Sequence, residues 1–121
     1  LVVEDEAAVR ALVRRMLAAA GYAVTALRSG AEALDALDRL GALPDLVLTD
    51  VMMPRVSGPE LVAALRARGW AGRVVYISGY AAGPALDAAL RGGDAELLQK
   101  PFTREQLERV VRGAAGARAR R

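Results

Sequence analysis

Apolar positions fall into two alternating kinds of run along the chain: short continuous stretches, and longer stretches with helical spacing. Leu1–Val3 is a brief apolar run that stops at the acidic group Glu4-Asp5-Glu6. Val9, Leu12, Val13, Met16, Leu17 and Ala20 then recur at i, i+3, i+4, i+7, i+8 and i+11, the stripe of an amphipathic helix, which Gly21 ends. Tyr22–Leu27 reads as a second strand. Ser29 is placed to cap a second helix with Ala33, Leu34, Leu37 and Leu40 inward, closed by Gly41 and Pro44. Leu46–Thr49 is a continuous buried run that delivers Asp50. A loop over 51–58 leads to Pro59, suited to the first turn of a third helix, with Leu61, Val62 and Leu65 inward. Val74–Ile77 is a fourth strand ending at Ser78, Pro84–Arg91 a short fourth helix, and Glu96–Gln99 a fifth strand ending at Lys100. Thr103 and Gln106 have the spacing of a capping box for a last helix, where Leu107, Val110 and Val111 face in.

Strands that alternate with helices predict an α/β fold, a parallel sheet with helices on both faces and right-handed crossovers. The length suits one domain over 1–121, with 113–121 a low-complexity basic tail expected to fray in part, beyond one more turn. Hydrophobic residues make up 54% and aromatics 4%, so the core is aliphatic. No apolar run approaches the roughly 20 residues of a membrane span. The absence of cysteine and histidine removes disulfides, Ser-His-Asp and Cys-His catalysis, and every thiolate or imidazole metal site. Any metal must be a hard cation held by oxygen. The net charge of +3 is concentrated at Arg118, Arg120 and Arg121; the other 14 basic residues balance the 14 acidic ones. A neutral body with a basic tail predicts no direct nucleic-acid surface on the fold.

Polar residues fall where chemistry would need them. Glu4, Asp5, Asp50, Ser78 and Lys100 each follow the C-terminal end of an apolar strand, and in a parallel α/β sheet those ends share the ligand-binding edge. Clustered carboxylates repel and raise each other's pKa. A divalent cation relieves that conflict, and Mg²⁺ uses one or two carboxylates with waters and a phosphate. Lysine supplies a compact charge for a phosphoryl oxygen, and a carboxylate can serve as the nucleophile that becomes an aspartyl-phosphate. Taken singly, each residue has an ordinary reading: a solvated loop acid, a strand-end cap, a turn serine, a surface lysine. Their joint placement at four of five strand ends outweighs those readings. Glu6 is assigned to the helix N-terminus, and Tyr22, Trp70 and Phe102 to packing.

The segments Leu-Val-Val-Glu-Asp-Glu, Leu-Thr-Asp-Val-Met-Met-Pro, Ile-Ser-Gly-Tyr and Gln-Lys-Pro-Phe resemble, in order and spacing, the signature segments of response-regulator receiver domains. The resemblance implies the flavodoxin-like doubly wound sheet of order 2-1-3-4-5. It implies phosphorylation at Asp50, Mg²⁺ held by Glu4, Asp5, Asp50 and the backbone carbonyl of Met52, a hydrogen bond from Ser78 to the phosphoryl group, and an ion pair to it from Lys100. Gly79 would leave room for the donor, and the Lys100–Pro101 bond would be cis. The implied partner is a histidine kinase or histidine phosphotransfer domain, in the cytoplasm, with no membrane contact, the domain itself a monomer or weak dimer. No independent turnover is expected beyond self-phosphorylation and autodephosphorylation.

Two departures stand out. Leu97 occupies the position three before the lysine where such domains usually carry Tyr or Phe, so the aromatic readout is expected to be muted unless Tyr80 substitutes. Glu4 replaces the commoner Asp. Met52 and Tyr80 stand where side chains flank the approach of water in the family, which predicts a slowly decaying phosphoryl group. Two settings stay open, a single-domain regulator and the C-terminal receiver of a hybrid histidine kinase, with a truncated DNA-binding regulator a less favoured third. The Ile-Ser-Gly-Tyr and Leu-Leu-Gln-Lys-Pro-Phe segments look more like hybrid-kinase receivers, and with Leu1 first the chain is expected to be trimmed or a piece of a larger protein. Three other functions fit less well. An Asp-nucleophile phosphatase needs Asp-x-Asp after its first strand, a flavin carrier needs a Ser/Thr/Gly-rich phosphate loop there, and a degenerate receiver would have lost Asp5, Asp50 or Lys100.

Overall fold

The computed structural model describes residues 1–41, 43–79 and 95–119. They form five strands, β1 (Val2–Val3), β2 (Ala26–Leu27), β3 (Leu46–Asp50), β4 (Arg73–Ser78) and β5 (Ala95–Gln99). With them go four helices, α1 (Ala7–Ala19), α2 (Gly30–Leu40), α3 (Gly58–Ala67) and the C-terminal α4 (Arg104–Ala119). All strand pairs are parallel and the sheet order is β2-β1-β3-β4-β5, the flavodoxin-like arrangement. The helix expected over Pro84–Arg91 and the residue Tyr80 lie outside the described residues.

Strand alternation divides the core into two layers. Val3, Val47, Val74 and Tyr76 point to one face, where α2 and α3 contribute Ala33, Leu37, Leu61, Val62 and Leu65 together with Trp70. Val2, Leu48, Val75, Ile77 and Leu98 point to the other, where α1 and α4 contribute Val13, Leu17, Leu107, Val111 and Ala114. Helices therefore cover both faces, and each central strand reads as an unbroken apolar run because neither side meets water. Phe102 and Tyr22 pack against the second layer as partly buried side chains.

Helix ends follow the expected chemistry. The Ser29 hydroxyl accepts from the Glu32 N–H at 3.1 Å, and Gly41, with φ +67°, closes α2 in the left-handed conformation glycine tolerates best. Thr103 and Gln106 make their reciprocal capping box, with bonds of 3.1 and 2.8 Å. A second box, Ser57 with Glu60, starts α3, and its S-x-x-E spacing marks the same helix start as Pro59 does.

Several boundaries differ from expectation. β2 pairs only at Ala26–Leu27 instead of over Tyr22–Leu27, because its edge position leaves one partner, β1, which is itself two residues long. Leu12, placed inward by the stripe, is 42% exposed, and Ala20 is exposed as well; Val9, Val13, Met16 and Leu17 hold the packed face and Leu12 lies at its margin. The Leu40 side chain lies outside the described residues. α4 continues through Gly113 to Ala119. No helix among the described residues is long and apolar enough to cross a membrane.

Candidate functional site

β1, β3, β4 and β5 deliver their last residues to one edge of the sheet. Register fixes the arrangement: Val3 pairs with Thr49, so Glu4 follows beside Asp50; Asp50 pairs with Ile77, so Ser78 is the next residue along; Ser78 pairs with Gln99, so Lys100 follows it. The ladder carries on past the strands, since the Lys100 N–H donates to the Ser78 carbonyl at 2.7 Å and the Val51 N–H to the Ile77 carbonyl at 3.0 Å. The Lys100–Pro101 bond is cis, as expected.

Glu4 is wholly buried, Asp50 is 7% exposed and Ser78 4%, whereas Asp5 is exposed at the mouth. Carboxylate oxygens of Glu4, Asp5 and Asp50 lie within 4.8 Å of one another. The Glu6 N–H donates to Glu4 Oε1 at 3.2 Å, and Arg10 donates to the Glu4 backbone carbonyl at 2.9 Å. Glu4 Oε2 finds no hydrogen-bond donor among the described residues. Lys100 Nζ stands 3.2 Å from it, an ion pair whose angle falls short of a hydrogen bond. The same ammonium donates to Asp50 Oδ2 at 3.3 Å, and the Met52 N–H donates to Asp50 Oδ1 at 3.2 Å.

Electrostatics follow from that geometry. Burial pushes the Glu4 carboxyl up to about 7, the Glu6 N–H opposes the rise, and the Asp50 charge adds to it. Partial burial pulls the Lys100 ammonium down, but the fields of Glu4 and Asp50 together outweigh it and hold the pKa above the ordinary lysine value. The site thus concentrates negative charge where little water reaches, and the Lys100 ammonium is paired with two of its carboxylates.

This donor set fits a hard divalent cation. It offers oxygen only, its three carboxylates are close enough to share one ion, and a buried oxygen lacks a hydrogen-bond donor. The Met52 N–H points back to Asp50, while its side chain is 69% exposed, which leaves the backbone as the part of Met52 near the site.

Residues outside the signature segments shape the floor. A Cβ on Gly58 would overlap the Asp50 carbonyl oxygen, so the start of α3 sits against β3's last residue only because that position is glycine. The Gly58 N–H also donates to the Val51 carbonyl at 3.0 Å. Between them the loop carries Arg55 at φ +69°, a conformation that costs a non-glycine residue about 1 kcal/mol or more. Sequence patterns do not single out Arg10, Gly58 or the Glu4–Lys100 contact; the partners of the first two are backbone carbonyl oxygens, which leave no residue-type signal. Leu97, at the usual aromatic position, is 37% exposed on β5, opposite Tyr76 on β4.

The comparisons with known proteins agree with this architecture. The family model for the response regulator receiver domain matches residues 1–112. The chain is 40% identical over 116 residues to the sensor kinase CckA of Brucella abortus, covering 93% of this chain and 12% of that protein. It is 37% identical over 121 residues to the transcriptional regulatory protein FixJ of Azorhizobium caulinodans, covering 98% of this chain and 55% of that protein. It therefore spans only part of the curated relatives it matches. Among solved structures, the response regulator receiver protein from Sinorhizobium medicae superposes with a TM-score of 0.82 at 36% identity, covering 97% of this chain and 93% of that one. The CheY-like receiver protein from Methanospirillum hungatei gives a TM-score of 0.84 at 25% identity, covering 99% and 95%. With the sheet order, the acidic cluster and the family match in agreement, this chain belongs to the response-regulator receiver family of two-component signalling.

Proposed function

We propose that the chain is a phosphoacceptor switch in which Asp50 takes a phosphoryl group from the phosphohistidine of a histidine kinase or histidine phosphotransfer domain. The observation that carries this reading is the Lys100 ammonium set between Glu4 and Asp50, with Asp5 completing an oxygen-only cluster at the sheet edge. Glu4, Asp5, Asp50 and the Met52 carbonyl would hold Mg²⁺, which supplies charge neutralisation at the phosphoryl oxygens when bound. An Asp50 carboxylate oxygen attacks phosphorus; the P–N bond of the donor breaks, and its electron pair leaves on the imidazole nitrogen, which takes a proton from solvent. Chain groups position this step more than they react in it. The Met52 N–H and the Lys100 ammonium fix the Asp50 carboxylate, Ser78 stands beside it in register, and the ammonium pairs with the incoming oxygens.

The likeness to a sensor kinase over nearly the whole chain supports a setting in a hybrid kinase. A phosphohistidine donor would be consistent with a cytoplasmic setting for the domain. Its output rests on the surface around Ser78 and Leu97, where an aliphatic side chain gives a smaller response than an aromatic one.

Incubating the purified chain with acetyl phosphate and Mg²⁺ should produce acid-stable, base-labile phosphate approaching one per molecule, and chelating the metal should suppress it. Release of inorganic phosphate with no accumulation of label would favour a phosphatase instead. Labelling that persists undiminished in excess chelator would rule the metal out of the reaction.

A further inference from the structure

Asp5 is the exposed member of the acidic cluster, and its carboxylate takes part in no hydrogen bond or ion pair among the described residues. Its oxygen still lies within 4.8 Å of those of Glu4 and Asp50, so the course of the backbone is what holds it there. That backbone is gripped on both sides of Asp5 by one residue, Arg10. The Arg10 N–H donates to the Glu6 carbonyl at 2.9 Å, as the first turn of α1 requires. Its guanidinium Nη1 reaches back six residues and donates to the Glu4 carbonyl, also at 2.9 Å. On the strand side the Glu4 N–H donates to the Leu27 carbonyl at 3.0 Å.

Helix stability does not account for an arginine at this place. Arg10 is the fourth residue of α1, near the positive end of the helix dipole, where a cation is disfavoured. Neither a side-chain cap at Glu6 nor an acid in the first turn offsets it. Ion pairing does not account for it either. Glu4, Asp5 and Glu6 are close in sequence, yet the guanidinium binds a carbonyl and forms no ion pair among the described residues.

We propose that Arg10 is a positioning residue: its guanidinium fixes the Glu4–Asp5 peptide, and that peptide aims the Asp5 carboxylate into the cluster. The proposal rests on the reading of this cluster as a metal-dependent phosphoacceptor site. Without the guanidinium, Glu4 stays buried and anchored through its Oε1, whereas exposed Asp5 loses its set direction. Removing an outer partner that orients a metal ligand typically costs about 10–100-fold in metal affinity. Charge works the other way. Arg10 is a cation beside a cation site, so its field alone opposes metal binding, and removing it would tighten binding. The two effects differ in sign, which makes the role measurable.

By calorimetry with MgCl₂ and no phosphodonor, Arg10→Met should bind at least about tenfold more weakly than the parent. Arg10→Lys, which keeps a charge and a donor, should recover most of the loss. An Arg10→Met variant that binds as tightly as the parent or more tightly would overturn the proposal, because the arginine would then act through its charge or not at all. Arg10→Lys as weak as Arg10→Met would overturn it too, since a donor at the Glu4 carbonyl would not be what matters. A further measurement needs no substitution, so poor folding of a variant does not obscure the result. In the metal-free parent the Arg10 guanidinium N–H signal should exchange slowly with water, and exchange as fast as that of exposed arginines would contradict the brace. If the parent itself binds no Mg²⁺ and the Asp5 and Asp50 amides do not respond to it, the metal-site reading falls and this proposal with it. Undiminished binding by both the parent and Arg10→Met fells the brace alone.

Discussion

Trp70→Ala should cost about 3–5 kcal/mol of stability, the largest loss expected from any single truncation in this chain. Trp70 is 3% exposed and belongs to the layer between the sheet and α2 and α3. Its Nε1 donates to the Pro44 carbonyl at 2.6 Å, which ties the end of α3 to the segment entering β3. The Arg66 guanidinium lies 4.7 Å from the ring centroid and donates to the Trp70 and Gly72 carbonyls at 3.2 and 2.8 Å. Removing the ring opens a cavity, strands the Pro44 carbonyl and takes away the cation–π contact, while the Arg66 hydrogen bonds run to backbone carbonyls and stay. Trp70→Phe keeps most of the area but loses the hydrogen bond, and should cost about 1–3 kcal/mol. Urea unfolding followed by circular dichroism decides this. A loss below about 1 kcal/mol for the alanine variant would mean that the ring is not a structural centre of that layer.

Asp5→Asn should lower the rate of phosphorylation by acetyl phosphate about a hundredfold or more, while leaving stability unchanged or slightly raised. Asp5 is the exposed member of the acidic cluster and the one through which a hydrated cation would first be met. A metal's charge is worth several kcal/mol in such a transition state, and the neutral amide gives up part of what holds that metal. Removing a charge beside Glu4 and Asp50 also relieves like-charge repulsion in the metal-free protein. Loss of activity with no loss of stability separates a functional carboxylate from a structural one. A variant that labels at the parental rate would show that Asp5 is only a solvated loop residue.

Much of the fold and site is legible in the sequence because the physics is local. The apolar runs ending in Asp50, Ser78 and Lys100 have few alternatives to buried strands, and their shared edge follows from parallel topology alone. The caps at Ser29 and Thr103 are marked by residue type and spacing. What stays hidden depends on partners far away in sequence. The shortness of β2 reflects its edge position, and the exposure of Leu12 depends on which neighbours the helix meets. The fit of Gly58 under Asp50 is a backbone contact that no side chain advertises. Glu4 is legible as an acid near the site, but its complete burial, and the ammonium 3.2 Å from its outer oxygen, emerge only in three dimensions.

The most direct test is to find where the phosphoryl group sits. Purified protein labelled with acetyl phosphate and Mg²⁺ should be reduced with borohydride, which converts an aspartyl-phosphate to homoserine, then digested and sequenced by mass spectrometry. The conversion should appear at Asp50 and nowhere else, and Asp50→Asn should carry no stoichiometric label under the same conditions. Conversion at Asp5 or Glu4 with Asp50 intact, or full labelling of Asp50→Asn, would contradict the assignment of Asp50 as the phosphoacceptor.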